Sequence, residues 1–466
     1  MHHMTTTAAA DTGVVSHTGV PLTRATTIVF TLDPNAEQRE LLTSHAGAFR
    51  LAFNHHIGRV FANLDQRAAE KTYGIPDADL TAALSWSKVS LINHMNQWKD
   101  GRAPDAPCGV DENGQPVRGI AWRGEVSADV FETASVNAAQ ALANWKQSFT
   151  GQRRGKPVRR PRFKSKHRTA PTFRLRAKYR EGDRSPVRPA GPRTMRFPKL
   201  GEIRVREHTG TLAKLLTRGR FHAYAASFTS RNGKWTVAVT GVAAAMHHLR
   251  RSIRDRHGKP VGIDLGVKTL AVVADTDGLV LHEWAGVKAL QHAQARLKLA
   301  NQALARTKQG SNGRAKAARR LGTMHARVRQ LRSALVHRIT STLAAGYATV
   351  VVEDLNVAGM VRNHSLARHI SDAAFGQLRR QLEYKTAWHG TTLVVADRWY
   401  ASSKTCSGCG HVHAGLTLAD RVFTCPACAL VIGRDVNAAV NLARLARADS
   451  TASPPLSTAL PSTVAA

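Results

Sequence analysis

The chain has 466 residues, 43% of them hydrophobic, and carries 67 lysines and arginines against 32 aspartates and glutamates, a formal surplus of 35 positive charges. That length and apolar content exclude a disordered chain and allow about two to four domains with real cores. So large a surplus is unlike an ordinary soluble enzyme and points to a polyanionic partner, nucleic acid first; compositional drift toward arginine would raise acidic residues too, and they are scarce.

The opening "MHHMTTTAAADTGVV" lacks the basic-then-apolar order of a signal peptide, and no run of about 18 apolar residues follows. A cytoplasmic protein with no membrane partner is expected, behind a disordered leader over 1–24. "TTIVFTLDP" reads as a strand. "NAEQRELLTSHAGAFRLAFNHHIGRVFANLDQRAAEK" then shows helical spacing, with Leu41, Leu42, Ala46, Phe49, Leu51, Phe53 and Ile57 as its apolar face. Further helices are expected in "LSWSKVSLINHMNQWK" and "SADVFETASVNAAQALANWKQSF", separated by a polar, Gly/Pro-rich stretch from Gly101 to Gly119.

"GQRRGKPVRRPRFKSKHR" follows, in which Arg153, Arg154, Lys156, Arg159, Arg160, Arg162, Lys164 and Lys166 surround Phe163. Such runs are often solvated linkers. Self-repulsion in so dense a cluster favours instead a segment that tracks phosphates. Alternating strands come next in "TFRLRAK", "TMRFPKLGEIRVREH" and "FHAYAASFTSRNGKWTVAVTGV", with "RNGK" as a hairpin turn. With "TTIVFTLDP" as its first strand, residues 25–36 and 168–250 would form one β-barrel, and 37–167 a helical insertion. Beyond "RRSIRDRHGKP" the order is three strands, long helices, then strand, helix, strand, helix, which argues for an α/β domain with a mixed sheet. Residues 447–466 read as a disordered tail.

Two apolar strands end in acid. "PVGIDLGVKTLAVVADTDG" carries Asp264, and "YATVVVEDLNVAGM" delivers Glu353 and Asp354. One such carboxylate is as easily a turn partner as a functional group; two are harder to explain that way, since burying a charge costs several kcal/mol unless it is paired or bound to metal. If adjacent strands bring Asp264 beside Glu353, a divalent cation would relieve their repulsion, and magnesium, which prefers oxygen ligands, is the natural choice. Asp435 in "GRDVNAAVNLA" reads by itself as a helix-start carboxylate. The helix in "SDAAFGQLRRQLEYKTAWHG" reads as core packing, the aromatic pair of "DRWYASSK" as structural, and Lys404 with its serines as able to hold a phosphate.

Of five cysteines, Cys108 stands alone, while Cys406, Cys409, Cys425 and Cys428 form CxxC, fifteen residues, CxxC. Paired knuckles of this kind supply the four thiolates of a structural zinc site, with His411 and His413 as reserve ligands and iron as the competing metal.

"GIDLGVKTLA", "VVVEDLNVAGM", "SDAAFGQLRRQLEYKTAWHG", "SSKTCSGCG…LTLADRVFTCPAC" and "GRDVNAAVNLA" occur in the order found in TnpB proteins. The last 200 or so residues resemble that family closely, and the compact type V CRISPR effectors look similar; "DPNAEQRELLTSHAGAFRLAFN" and "RPRFKSK" carry a weaker resemblance. The resemblance implies an RNase H-like (RuvC) nuclease over 258–401 and 431–446, with Asp264, Glu353 and Asp435 as catalytic acids. It also implies a zinc-bearing target-strand domain over 402–430, a β-barrel wedge domain and a helical recognition lobe. Guide RNA and double-stranded target DNA would be the partners. Two magnesium ions would be bridged by Asp264, and Arg434 is placed to steady the scissile phosphate. Gly433 stands where many relatives have an acid. Rival readings are a transposase or junction resolvase working without RNA, and an RNA-guided binder that does not cut. Oligomeric state is not legible.

Overall fold

Alternating apolar and polar residues shape the first of two units, Thr23–Ala244. The computed structural model describes residues 23–111, 113–166, 169–179, 185–244, 256–417 and 419–450; the expected leader, apart from Thr23 and Arg24, and the expected tail from 451 lie outside them. In chain order this unit holds β1 (Thr23–Thr31), α1 (Ala36–Thr72), α2 (Lys88–Lys99), β2 (Cys108–Val110), β3 (Pro116–Arg118), α3 (Ala128–Phe149), β4 (Thr172–Arg176), β5 (Arg188–Gly191), β6 (Thr194–Phe197), β7 (Gly201–Arg204), α4 (Gly210–Thr217), β8 (Phe221–Arg231) and β9 (Lys234–Ala244). β1 runs antiparallel to β9 along its whole length, giving a sheet in the order β1-β9-β8-β4. Asn232 and Gly233 both have positive φ, the conformation a two-residue hairpin needs, and they close β8 onto β9. A second sheet, β5-β6-β7, meets the first at a bridge between Leu32 and Val205.

One core serves sheets and helices alike. Phe173 and Phe228 stack at 4.6 Å, with Phe197 edge-on at 5.0 Å, and Leu42, Phe49, Phe53 and Ile57 of α1 join the same buried cluster. Leu51, expected on that apolar face, is 38% exposed, because its neighbours in the buried stripe already fill the side of the helix toward the sheet. Within the Gly/Pro-rich stretch, β2 and β3 pair as a short hairpin that sequence alternation does not announce.

In the second unit, apolar runs that do not alternate become strands covered on both faces. Its elements are β10 (Val261–Asp264), β11 (Thr269–Asp275), β12 (Val280–Ala285), α5 (Ala289–Ala305), α6 (Asn312–Gly346), β13 (Thr349–Glu353), α7 (Val357–Met360), α8 (Ala367–Ala373), α9 (Phe375–His389), β14 (Thr392–Ala396), β15 (Val422–Thr424), β16 (Val431–Gly433) and α10 (Arg434–Ser450). The sheet order is β12-β11-β10-β13-β14; β10, β11 and β12 are antiparallel neighbours, and β13 and β14 run parallel to β10. Val350 and Val352 face α6 and α9 in one cluster with Val336, Ile339, Leu343, Leu378 and Leu382. Val351, one residue out of phase, faces Leu442 of α10. That helix continues through Ser450, past residue 447 where a tail was expected to begin, so the tail boundary shifts: the alanine-rich pattern of good helix formers propagates the helix. Among the described residues no helix is long and apolar enough to cross a membrane.

Candidate active site and nucleic-acid interface

Strand register places the first two carboxylates. Ile263 of β10 is level with Val352 of β13 in a parallel pair, so the next residues, Asp264 and Glu353, emerge side by side at the same sheet edge. Asp435 sits in the first turn of α10, which lies across β10. The approach depends on Gly262: a Cβ there would press on the Ala439 carbonyl oxygen and lie 2.5 Å from Ala443 N and 2.8 Å from Leu442 Cβ. Alanine-rich α10 and hydrogen-only Gly262 thus bring helix and strand backbones together.

All three acids are half-buried. Burial, then the charges of Glu353 and Asp435, push the Asp264 carboxyl well above the usual range, with Arg434 opposing. Burial also raises Glu353, against a hydrogen bond in which Ser402 Oγ donates to its Oε1 at 2.6 Å. Arg434 Nη2 lies 3.4 Å from Asp435 Oδ1. With Glu353 and Asp435 disfavouring ionisation of Asp264, the carboxylates form an oxygen-rich set that suits a hard divalent cation. In this structure they stand further apart than the sets, among the described residues, whose ligand atoms all lie within 4.8 Å: the four cysteines, and His55 with His94 and Asp105.

Two asparagines fasten α10 to residues 402–407, which lead into the first cysteine knuckle. Asn437 is completely buried; its Oδ1 accepts from Ser407 N at 2.9 Å and its Nδ2 donates to Thr405 O at 2.7 Å. Asn441 Nδ2 donates to Ser402 O at 2.8 Å and Thr405 O at 2.6 Å. Ser402, Asn437, Asn441 and Gly262 therefore position the acids, a role that sequence reading misses for all four; Ser402 reads there only as a phosphate partner of Lys404. The only signal is the spacing of two asparagines among the small and apolar residues of one helix face.

Cys406 Sγ lies 3.6 Å from Cys428 Sγ, and Cys409 Sγ 3.6 Å from Cys425 Sγ. Disulfides require about 2.05 Å, whereas four sulfurs about 2.3 Å from one tetrahedral ion are about 3.8 Å apart. The residues fit a four-thiolate metal. β15 and β16 flank the second knuckle and pair across it just before α10, around fully buried Phe423. His411 and His413 lie outside the ligand set.

The basic segment runs along α1. Arg160 donates to Asp65 at 2.8 Å and stacks over Phe61 at 3.9 Å; Phe163 lies on Gly58; and Asn54 exchanges two hydrogen bonds with the Lys164 backbone. Lys164 Nζ stands 4.4 Å above the Phe53 ring. Arg160 and Lys164 are therefore anchors, while Arg154, Lys156, Arg159, Arg162 and Lys166 are exposed and Arg153 half-exposed. Lys404 is half-buried and donates to Ala414 O at 3.1 Å. Of the aromatic pair, Tyr400 packs against the Val351, Ala396 and Leu442 cluster, but Trp399 is 86% exposed, so its structural reading is corrected: among the described residues it joins no core cluster.

Comparison with known proteins follows the same division of the chain. Residues 375–442 match the family model described as Cas12f1-like, TNB domain, and residues 249–364 the one described as Probable transposase. A protein of Mycobacterium tuberculosis named as an RNA-guided DNA endonuclease is 33% identical over 434 residues, covering 91% of this chain and 87% of its own. One of Streptomyces pristinaespiralis, named likewise, is 42% identical over 182 residues, 39% of this chain and 44% of its own. A cryo-EM structure of a Cas12f1-sgRNA-target DNA complex aligns with a TM-score of 0.46 at 13% identity, covering 90% of this chain and 99% of that one.

Proposed function

The chain belongs to the TnpB family of RNA-guided DNA endonucleases, and from that premise we propose that it binds a guide RNA and cleaves double-stranded DNA matched to it, through a RuvC site of Asp264, Glu353 and Asp435. The observation that carries the reading is the convergence of these acids, from two parallel strands and a helix start, at one edge of the five-stranded mixed sheet. Asp264, Glu353 and Asp435 would together hold two magnesium ions. Bound there, the ions would supply an activated water and charge stabilisation for in-line attack on a phosphodiester. Ser402 fixes the Glu353 carboxylate, and the Asn437 and Asn441 bonds tie the helix that carries Asp435 to residues 402–407. Zinc at Cys406, Cys409, Cys425 and Cys428 would be structural, closing the target-strand segment. Sequence choice would come from RNA pairing and a short flanking DNA motif.

The test is Asp264→Ala in protein purified with its RNA. Cleavage of matched DNA should fall to background while RNA retention is unchanged. Persistent cleavage would overturn the site, and cleavage by RNA-free protein would move the reading to a resolvase or transposase. Sequencing the retained RNA identifies the guide.

A further inference from the structure

Away from the nuclease acids and the cysteines, the first unit brings two imidazoles and a carboxylate together. His55 on α1 and His94 on α2 face each other with Nε2 atoms 3.0 Å apart and rings 5° from parallel. Asp105, from the loop after α2, places Oδ2 3.8 Å from His94 Nε2, and ligand atoms of all three lie within 4.8 Å of one another. At 3.0 Å at least one Nε2 must be unprotonated, with its lone pair aimed into the space between the helices. Two nitrogens bound to zinc at about 2.0–2.1 Å in a tetrahedron would be about 3.3 Å apart, close to what is found.

The backbone of the loop that carries Asp105 is held in place. Trp98 Nε1 donates to Asp105 O at 2.9 Å, and Arg118 Nη2 donates to the carbonyls of Ala103 and Pro104 at 3.1 and 3.2 Å. The Trp98 ring also lies 4.1 Å from His55, walling the site on one side. The His94 side chain is 11% exposed and that of Asp105 is 48%, so an ion can enter from the Asp105 side and keep one position for water. Arg59 is the opposing cation nearby, and the Asp105 charge offsets it.

We propose that His55, His94 and Asp105 form a second divalent-metal site, zinc by donor type, that ties α1 to α2 and to the loop carrying Asp105. Zinc is preferred because two imidazoles and one carboxylate are its usual donors, whereas magnesium takes oxygen alone. The site stands whether or not the chain is an RNA-guided nuclease. A hydrogen-bonded histidine pair without metal is the alternative.

The experiment measures zinc per chain by inductively coupled plasma mass spectrometry on full-length protein loaded with zinc and desalted. Wild type should carry one ion more than His94→Gln, and one more than Asp105→Asn, whose isosteric change at an exposed position keeps the fold. Cys406→Ser/Cys409→Ser should lose a different ion and still bind cobalt(II), giving ligand-field bands without thiolate charge transfer. Equal zinc in wild type and both site variants, or no cobalt binding by the cysteine variant, would overturn the proposal.

Discussion

At Gly262 a lone hydrogen stands where other residues carry carbon, and α10 occupies the space. Gly262→Ala should cost about 1–3 kcal/mol or more as the helix is pushed from β10, and cleavage should fall with it because Asp435 rides on the displaced turn. Urea unfolding and a cleavage assay on the same preparation measure both effects. Ser402→Ala makes a finer change: Glu353 loses its donor at 2.6 Å, a bond to a charged group worth about 1.5–3 kcal/mol. Its cleavage should need more magnesium for half-maximal rate, with the unfolding midpoint moved less than in Gly262→Ala. Asp264 and Glu353 were legible because a single acid ending an apolar strand interrupts a pattern. Ser402 and the two asparagines were not, since their partners lie 30 to 49 residues away in the chain and hydrogen bonding has no sequence period.

Among the elements, α1 and α3 are joined by a histidine. His45 is fully buried, with Nδ1 2.8 Å from Leu41 O and Nε2 accepting from Ser127 N, at the start of α3, at 3.1 Å. The proton therefore sits on Nδ1, and adding a second would replace the Ser127 bond by repulsion. Burial lowers the His45 pKa, with the Leu41 carbonyl opposing and Lys199 reinforcing the shift. The unfolded chain thus binds the extra proton more readily, so this contribution is present above about pH 6.5 and is lost as pH falls below it. Unfolding midpoints between about pH 7.5 and 5.5 should drop more steeply for wild type than for His45→Gln, which is less stable at the upper end. Helices and strands of this kind were readable from period alone. The β2–β3 hairpin was not, because strands of three residues are too short to show alternation. The course of the basic segment along α1 was equally hidden, since it rests on contacts of Arg160, Phe163 and Lys164 with residues about a hundred positions earlier.

For the molecule as a whole, a surplus of 35 positive charges makes binding to a polyanion strongly dependent on salt. Arg162→Ala, an exposed change, should weaken RNA binding and reduce the slope of log K against log salt by about 0.7–0.9. Lys164→Ala should leave that slope in place and lower stability instead, because its ammonium rests on Phe53. Filter binding across a salt series with parallel melting curves separates the two. The charge surplus was plain in the composition; which cations are available to a phosphate depends on packing and was not. The first unit has one more property. Its first strand enters opposite the residue by which its last strand leaves, Thr23 against Ala244, so its two ends form a narrow gate. A segment with such adjoining ends can be excised and expressed by itself, or rejoined through a short linker and reopened at an exposed turn such as Asn232–Gly233, without rerouting its core.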